Sequence, residues 1–92
     1  MGADIRMNWA LQTATLDTLE ERAIYSFEKS GNRMFPLETP IDLINMSREA
    51  VAKIKITEFT NRIGVTTGTY QVVKIYQGIE KEVLTQYWKE NQ

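Results

Sequence analysis

Apolar and polar residues alternate along most of the chain, and a period of two is typical of β-strands that bury one face. The clearest alternation runs over residues 50–59, where lysine and threonine separate the apolar positions. Half of those apolar positions carry β-branched side chains, which suit a pleated surface. This segment is therefore predicted to be the main strand, with an inner face formed by Ala50, Ala52, Ile54 and Ile56.

Further segments show the same alternation. Strands are predicted over residues 7–16, from residue 22 onward and over residues 41–44. The segment Thr69–Tyr76 is apolar on both faces, which is typical of a central strand covered on each side. We expect Val72 in this strand to be buried.

Turn residues separate the predicted strands. Residues 30–32, Ser-Gly-Asn, tolerate the positive φ of a tight turn. Residues 33–37 are therefore expected to return beside the preceding strand as a β-hairpin. Pro36 has no N–H to donate, so this returning strand should lie at a sheet edge or end there. Residues 61–68 are expected to contain the next loop.

The period of the pattern lengthens after residue 78, which predicts an amphipathic helix over residues 79–89. A helix of about three turns is marginal in isolation. We therefore expect it to pack against the sheet. Its packing residues are predicted to be Ile79, Val83, Leu84 and Tyr87.

Short strands followed by one helix predict a mostly β (α+β) fold. The expected form is a small, strongly bent antiparallel sheet, or a partly closed barrel of five to six strands, with the C-terminal amphipathic helix. A chain of 92 residues has room for one domain. We assign residues 1–6 to an N-terminal tail and residues 7–92 to a single β-rich domain, with Met7 as a candidate native start.

Composition narrows the chemistry. The chain has no histidine and no cysteine, which excludes imidazole bases, thiol nucleophiles, disulfides and thiolate metal sites. With 11 basic and 12 acidic residues, the formal net charge of −1 gives no global attraction to nucleic acid or anionic membranes. We expect no catalytic residues, metal, cofactor or membrane association. The absence of disulfides in a small domain favours the cytoplasm.

Local charge still allows a nucleic-acid surface. Lys53, Lys55 and Lys74 lie opposite the apolar faces of neighbouring predicted strands. Arg62, in the nearby loop, extends the same cluster. Such a patch can bind phosphates while a neighbouring aromatic such as Tyr70 or Tyr76 stacks on a base. The alternative is that these residues only keep the outer face soluble and block pairing at strand edges.

Trp88 and Tyr87 form a second candidate site. An exposed aromatic pair near the C-terminus would anchor a protein partner, whereas the alternative is that both rings close the bottom of the barrel as core.

Two further clusters favour structural interpretations. The acidic residues Asp17, Glu20 and Glu21 suit a solvated loop, because the adjacent carboxylates of Glu20 and Glu21 point apart. Residues 66–69 suit a hairpin turn, because no helix follows to complete a phosphate-binding loop.

Two segments together carry a resemblance to a known family. Residues 33–43 have the sequence RMFPLETPIDL, and residues 68–76 have the sequence GTYQVVKIY. They resemble a family of short uncharacterised proteins from Bacillus-like Firmicutes, which implies a bacterial cytoplasmic protein with no assigned activity. The strand order is similar to that of small PUA-like barrels, many of which bind RNA, although fold analogy carries little functional weight.

These observations favour a non-catalytic binding or protein-interaction module. The expected partner is a protein. The alternative is RNA or nucleic-acid binding through a PUA-like barrel with a local lysine patch.

Overall fold

The computed structural model describes residues 7–14 and 18–90, and the predicted tail over residues 1–6 lies outside this range. The described part of the chain forms one five-stranded mixed sheet in the order β1-β3-β4-β5-β2, followed by one helix. The sheet curls through 211° into a half-barrel, which confirms the predicted mostly β fold with a bent sheet and a C-terminal helix. The elements are β1 Ala10–Gln12, β2 Ile24–Ser30, β3 Pro40–Ile44, β4 Ala50–Arg62, β5 Val65–Ile75 and α1 Gly78–Glu90.

The two longest strands, β4 and β5, form an antiparallel hairpin at the centre of the sheet. Their turn is short because Gly64 adopts φ of 75°, a conformation open to glycine at no steric cost. The loop predicted over residues 61–68 is therefore confined to the turn at residues 63–64. Residues 66–69 are strand residues and not a turn, in keeping with the strand preference of threonine.

Gly68 marks a close approach within a strand. A Cβ at this position would clash with the carbonyl oxygen of Glu58 and would lie 3.0 Å from Cε1 of Phe27. The absent side chain leaves room for the Phe27 ring between neighbouring strands. Glycine inside a strand often has this role. Because glycine is also common in turns, the pattern alone predicted a turn at Gly68.

The segment over residues 33–37 does not return beside β2, so the predicted hairpin is wrong. β2 pairs antiparallel with β5 at one edge of the sheet. The segment instead makes isolated bridges through Met34 and Leu37. Pro36 between them has no N–H for a continuous ladder, and Phe35 is buried in the core.

β1 lies at the opposite edge and pairs parallel with β3, so the sheet is mixed and not wholly antiparallel. The strand predicted over residues 7–16 is much shorter, and residues 15 and 16 lie outside the described range. The chain bends at Trp9, which is 60% exposed, whereas Leu11 is fully buried. This bend breaks the alternation on which the longer strand was predicted.

The half-barrel encloses the main core. As predicted, Ile54 and Ile56 are completely buried and Val72 is 1% exposed. Phe35 forms edge-to-face contacts with Phe27 and with Phe59, a favoured geometry for aromatic rings. The buried members of this core are Leu11, Phe27, Phe35, Ile41, Leu43, Ala52, Ile54, Ile56, Tyr70 and Val72.

A smaller core lies beneath α1, whose bounds agree with the predicted helix. Its buried residues are Ile44, Ala50 and Tyr76, and Leu84 and Trp88 pack against them. Glu80 in the first turn and Lys89 in the last turn have the charges that the helix dipole favours at those ends.

The packing face predicted for the helix is largely wrong. Ile79, Val83 and Tyr87 are 76%, 60% and 50% exposed, and only Leu84 of the four predicted residues packs on the sheet. Hydrogen bonds determine which side faces the sheet. The hydroxyl of Thr85 accepts a bond of 3.0 Å from the N–H of Ala50 on β4. Apolar periodicity does not record this polar contact.

The buried position of Ile54 predicts a large stability effect. Ile54→Ala should lower the free energy of unfolding by about 2–5 kcal/mol, because it removes buried methyl groups and leaves a cavity. The matched control is Ile63→Ala in the β4–β5 turn, where the side chain is fully exposed and the expected change is within about 0.5 kcal/mol. Urea denaturation measures both variants. Equally small losses would show that Ile54 is not a core residue.

Candidate anion-binding site

The curl of the sheet brings β1 and β2 together, although they lie at opposite ends of the strand order. Lys29 on β2 donates from Nζ to the carbonyl oxygen of Gln12 on β1. Beside this contact lies a cavity of about 270 Å³, which we call the seam pocket. Its walls come from strands β1, β2 and β3, two loops and helix α1. They are formed by Asn8, Ala10, Leu11, Gln12, Lys29, Arg33, Phe35, Ile44, Arg48 and Trp88.

The charge in the seam pocket is all of one sign. Lys29, Arg33 and Arg48 line it, and no carboxylate does so among the residues that the structure describes. The two ion pairs found within residues 7–14 and 18–90 involve other lysines. Three uncompensated cations around one cavity favour the binding of an anion.

Arg48 reaches the seam pocket from a tightly hydrogen-bonded loop. The side-chain oxygen of Asn45 accepts bonds from the N–H groups of Ser47, at 3.0 Å, and Glu49, at 2.9 Å. Arg48 itself takes φ of 66°, which is uncommon for a residue other than glycine. Its Nε is buried and has no hydrogen-bond partner within the described residues. A buried charged donor without an acceptor is unfavourable, so an acceptor in the pocket would stabilise this arrangement.

Arg33 is held in place from several directions. Its Nε donates to the carbonyl oxygen of Ser30 at 2.9 Å, and its Nη1 donates to Oδ1 of Asn8 at 3.4 Å. Its backbone N–H donates to the buried hydroxyl of Thr66 at 2.8 Å. The hydroxyl-rich segment after Gly64 therefore contributes to the site indirectly, because Thr66 fixes the loop that carries Arg33.

The pKa of Lys29 reflects the surroundings of the seam pocket. Burial lowers the pKa of Lys29 below its usual range, and the nearby charge of Arg33 lowers it further. An anion in the seam pocket would act against both effects. The affinity for an anion should therefore decrease as the pH rises through the pKa of this lysine.

The predicted lysine surface contains carboxylates as well. Lys55 forms an ion pair of 3.5 Å with Glu38, and Lys74 forms one of 2.9 Å with Glu80. Lys53 and Lys74 are direct partners across β4 and β5, so the structure does bring these two lysines together. The carboxylates offset the positive charge that a phosphate track needs.

Arg62 lies seven residues beyond Lys55 on the same strand, which corresponds to about 20 Å at ~3.3 Å per residue. It is therefore separated from the lysines. The two tyrosines that were expected to stack on bases are buried. Tyr70 is 2% exposed in the main core, and Tyr76 is 3% exposed beneath α1.

The aromatic pair at the C-terminus divides between two environments. The rings of Tyr87 and Trp88 meet edge to face at 5.0 Å. Trp88 is half-buried and lines the seam pocket, whereas Tyr87 is 50% exposed. Nε1 of Trp88 donates to Oδ2 of Asp42 at 2.7 Å, and the hydroxyl of Tyr76 donates to Oδ1 of the same carboxylate. We call this arrangement the Asp42 clamp.

Other parts of the surface offer weaker sites. An open depression of about 600 Å³ is lined mainly by serine and threonine hydroxyls with Glu28 and Glu58. Glu20 and Glu21 are exposed residues outside the strands, as expected for a solvated loop. Within the described chain, no group of three or more acidic side chains is placed to hold a metal ion. None of the helical segments in that range has the length and apolar character needed to cross a membrane.

The seam pocket was not predicted, because its basic residues come from two separate parts of the chain, Lys29 and Arg33 from one and Arg48 from the other. They converge only when β1 meets β2, and that contact depends on the curl of the sheet. One sequence signal was available. Lys29 and Arg33 are four residues apart on either side of Gly31, with no acidic residue between them.

Comparison with known proteins supports the resemblance seen in the sequence. A family model described as Domain of unknown function (DUF2584) matches residues 1–78. The X-ray crystal structure of protein ytmB from Bacillus subtilis, a structural-genomics target, has a similar fold with a TM-score of 0.66 and 25% identity. The similarity covers 83% of this chain and 95% of that chain. No curated protein matches the chain.

The Asp42 clamp predicts a loss of stability in alkali. Burial raises the pKa of Tyr76 above its ordinary value of 10.0, and the hydrogen bond to Asp42 raises it further. The unfolded chain ionises first, so the stability contributed by Tyr76 is complete below about pH 10 and is lost as the pH rises beyond it.

Tyr76→Phe should therefore flatten the decrease in stability above about pH 10, as measured by urea denaturation at a series of pH values. The control is Tyr87→Phe on the exposed side of α1, which should keep the wild-type slope. An unchanged slope in Tyr76→Phe would contradict this account of the clamp.

Proposed function

The chain belongs to the family described as Domain of unknown function (DUF2584), and we propose that it is a non-catalytic binding module that holds a small anion in the seam pocket. The observation that carries the proposal is the buried Nε of Arg48, which has no partner within the described residues. Lys29 and Arg33 line the same cavity, and none of the carboxylates within residues 7–14 and 18–90 does. A site of this kind is complete only when an acceptor with negative charge occupies it.

The donors suit phosphate or carboxylate groups. Guanidinium groups present planar forks of N–H donors that match the oxygens of both. Hydrogen bonds to charged groups contribute about 1.5–3 kcal/mol each, so a few of them give measurable affinity. Asn8 and Gln12 also line the cavity, where their side-chain amides donate to the carbonyl oxygens of Met34 and Asn45.

Binding is favoured over catalysis by the groups that line the seam pocket. Among the described residues that line the pocket, Lys29 alone carries an amine that can lose a proton, and its Nζ is bonded to the carbonyl oxygen of Gln12. A general base needs a lone pair directed at the proton that it removes. We infer a cytoplasmic location from the absence of cysteine in a domain of this size.

Nucleic-acid binding has less support. The ion pairs of Lys55 with Glu38 and of Lys74 with Glu80 reduce the charge available to phosphates. Binding of a protein partner through Tyr87 stays a prediction. Tyr87 is exposed on α1, but the surface around it does not specify the chemistry of a partner, whereas the seam pocket specifies a charge.

Arg48→Gln should weaken the binding of inorganic phosphate by about tenfold or more, because it removes one charged donor pair from the seam pocket. Isothermal titration calorimetry measures the affinity. The matched control is Arg62→Gln, an exposed arginine at the end of β4, which should bind as the wild type does.

Arg48→Gln should cost little folding stability, since the guanidinium Nε has no hydrogen bond to lose among the residues that the structure describes. Phosphate should raise the unfolding midpoint of the wild type, because a ligand that binds only the folded state stabilises it. Equal phosphate affinity in wild type, Arg48→Gln and Arg62→Gln would overturn the proposed function.

A further inference from the structure

The seam pocket has an apolar wall beside its cations. Ala10, Ile44 and Trp88 line the cavity. Ile44 is a buried member of the smaller core, and Ala10 and Trp88 pack against that core. Nε1 of Trp88 is already bonded to Asp42. The indole therefore offers the pocket an apolar ring surface and no hydrogen-bond donor.

We propose that the natural ligand is a phosphate monoester with a small apolar body. This inference rests on the proposed function and names the class of ligand for the same site. The pocket provides separate surfaces for the two parts of such a molecule. The basic residues bind the phosphate group, and the apolar wall covers the esterified group.

The number of cationic side chains favours phosphate over carboxylate. A phosphate monoester carries close to two negative charges at neutral pH and presents three terminal oxygens as acceptors. Lys29, Arg33 and Arg48 supply three cationic donor groups. A carboxylate has one charge and two oxygens, so it would leave more of the positive charge uncompensated.

The size of the cavity favours an ester over inorganic phosphate. Its volume of about 270 Å³ lies just below the ~300–1,000 Å³ range of pockets that hold drug-sized ligands. A phosphate group alone fills only part of that space and leaves the ring of Trp88 in contact with water. A small organic group would displace that water and bury apolar surface.

Calorimetric titration with phenyl phosphate, inorganic phosphate and benzoate tests the inference at about pH 8, where both phosphates are dianionic. We expect phenyl phosphate to bind on the order of tenfold more tightly than inorganic phosphate, because a buried ring adds favourable transfer energy. Benzoate should bind more weakly than phenyl phosphate. Ala10→Leu, which fills the apolar wall, should lower the affinity for phenyl phosphate more than the affinity for inorganic phosphate and so reduce the advantage of the ring.

A second measurement tests the inference without relying on the folding of Ala10→Leu. In the wild type, nuclear Overhauser contacts should join the phenyl protons to the methyl protons of Ala10 and Ile44. If phenyl phosphate and inorganic phosphate bind equally and these contacts are absent, the ester inference fails while the proposed function stands. If benzoate binds as tightly as phenyl phosphate, the phosphate class is wrong. If no anion binds, both proposals fail.

Discussion

Register shifts in the central ladders are the feature on which the seam pocket and the enclosed core depend. β3 and β4 shift register between Leu43 and Ile44, and β4 and β5 shift near Ile54 and again near Glu58. Bulges of this kind bend a strand and increase its right-handed twist. The accumulated bend curls the sheet into a half-barrel around its apolar face and brings Lys29 of β2 to the carbonyl oxygen of Gln12 on β1. A flat sheet with the same strand order would have a solvated apolar face and no cavity between its edges.

Asp42 joins the curled sheet to the helix. It lies on β3 between Ile41 and Leu43, which belong to the main core, so strand alternation directs its carboxylate to the other face. There it accepts hydrogen bonds from Tyr76 and Trp88. Trp88 also lines the seam pocket. Its hydrogen bond to Asp42 therefore determines which side of the indole ring faces the pocket.

The sequence predicted those features that depend on local pattern. The burial of Ile54 and Ile56 followed from alternation along one strand, and the bounds of α1 followed from the change in period after residue 78. Features that depend on tertiary contacts were missed. The turn predicted at Gly31 does form. The antiparallel partner of β2, however, is β5 and not the segment that contains Pro36.

The candidate site shows the same limit. No motif marks the basic residues of the site, whereas Lys53, Lys55 and Lys74 are prominent because they lie on regular strands with a clear outward face. Two of those lysines meet carboxylates, Glu38 and Glu80, that come from other segments of the chain. Among the described residues, no carboxylate lines the seam pocket or forms an ion pair with its cations.

The most direct test of the central claim observes the Nε–H group of Arg48 itself. Its cross-peak in a ¹⁵N–¹H spectrum can be assigned by its disappearance in Arg48→Lys. Addition of phosphate should shift this proton downfield and slow its exchange with water, because the buried donor gains a charged acceptor. A cross-peak that stays unchanged at saturating phosphate would contradict the account of the seam pocket as an anion-binding site.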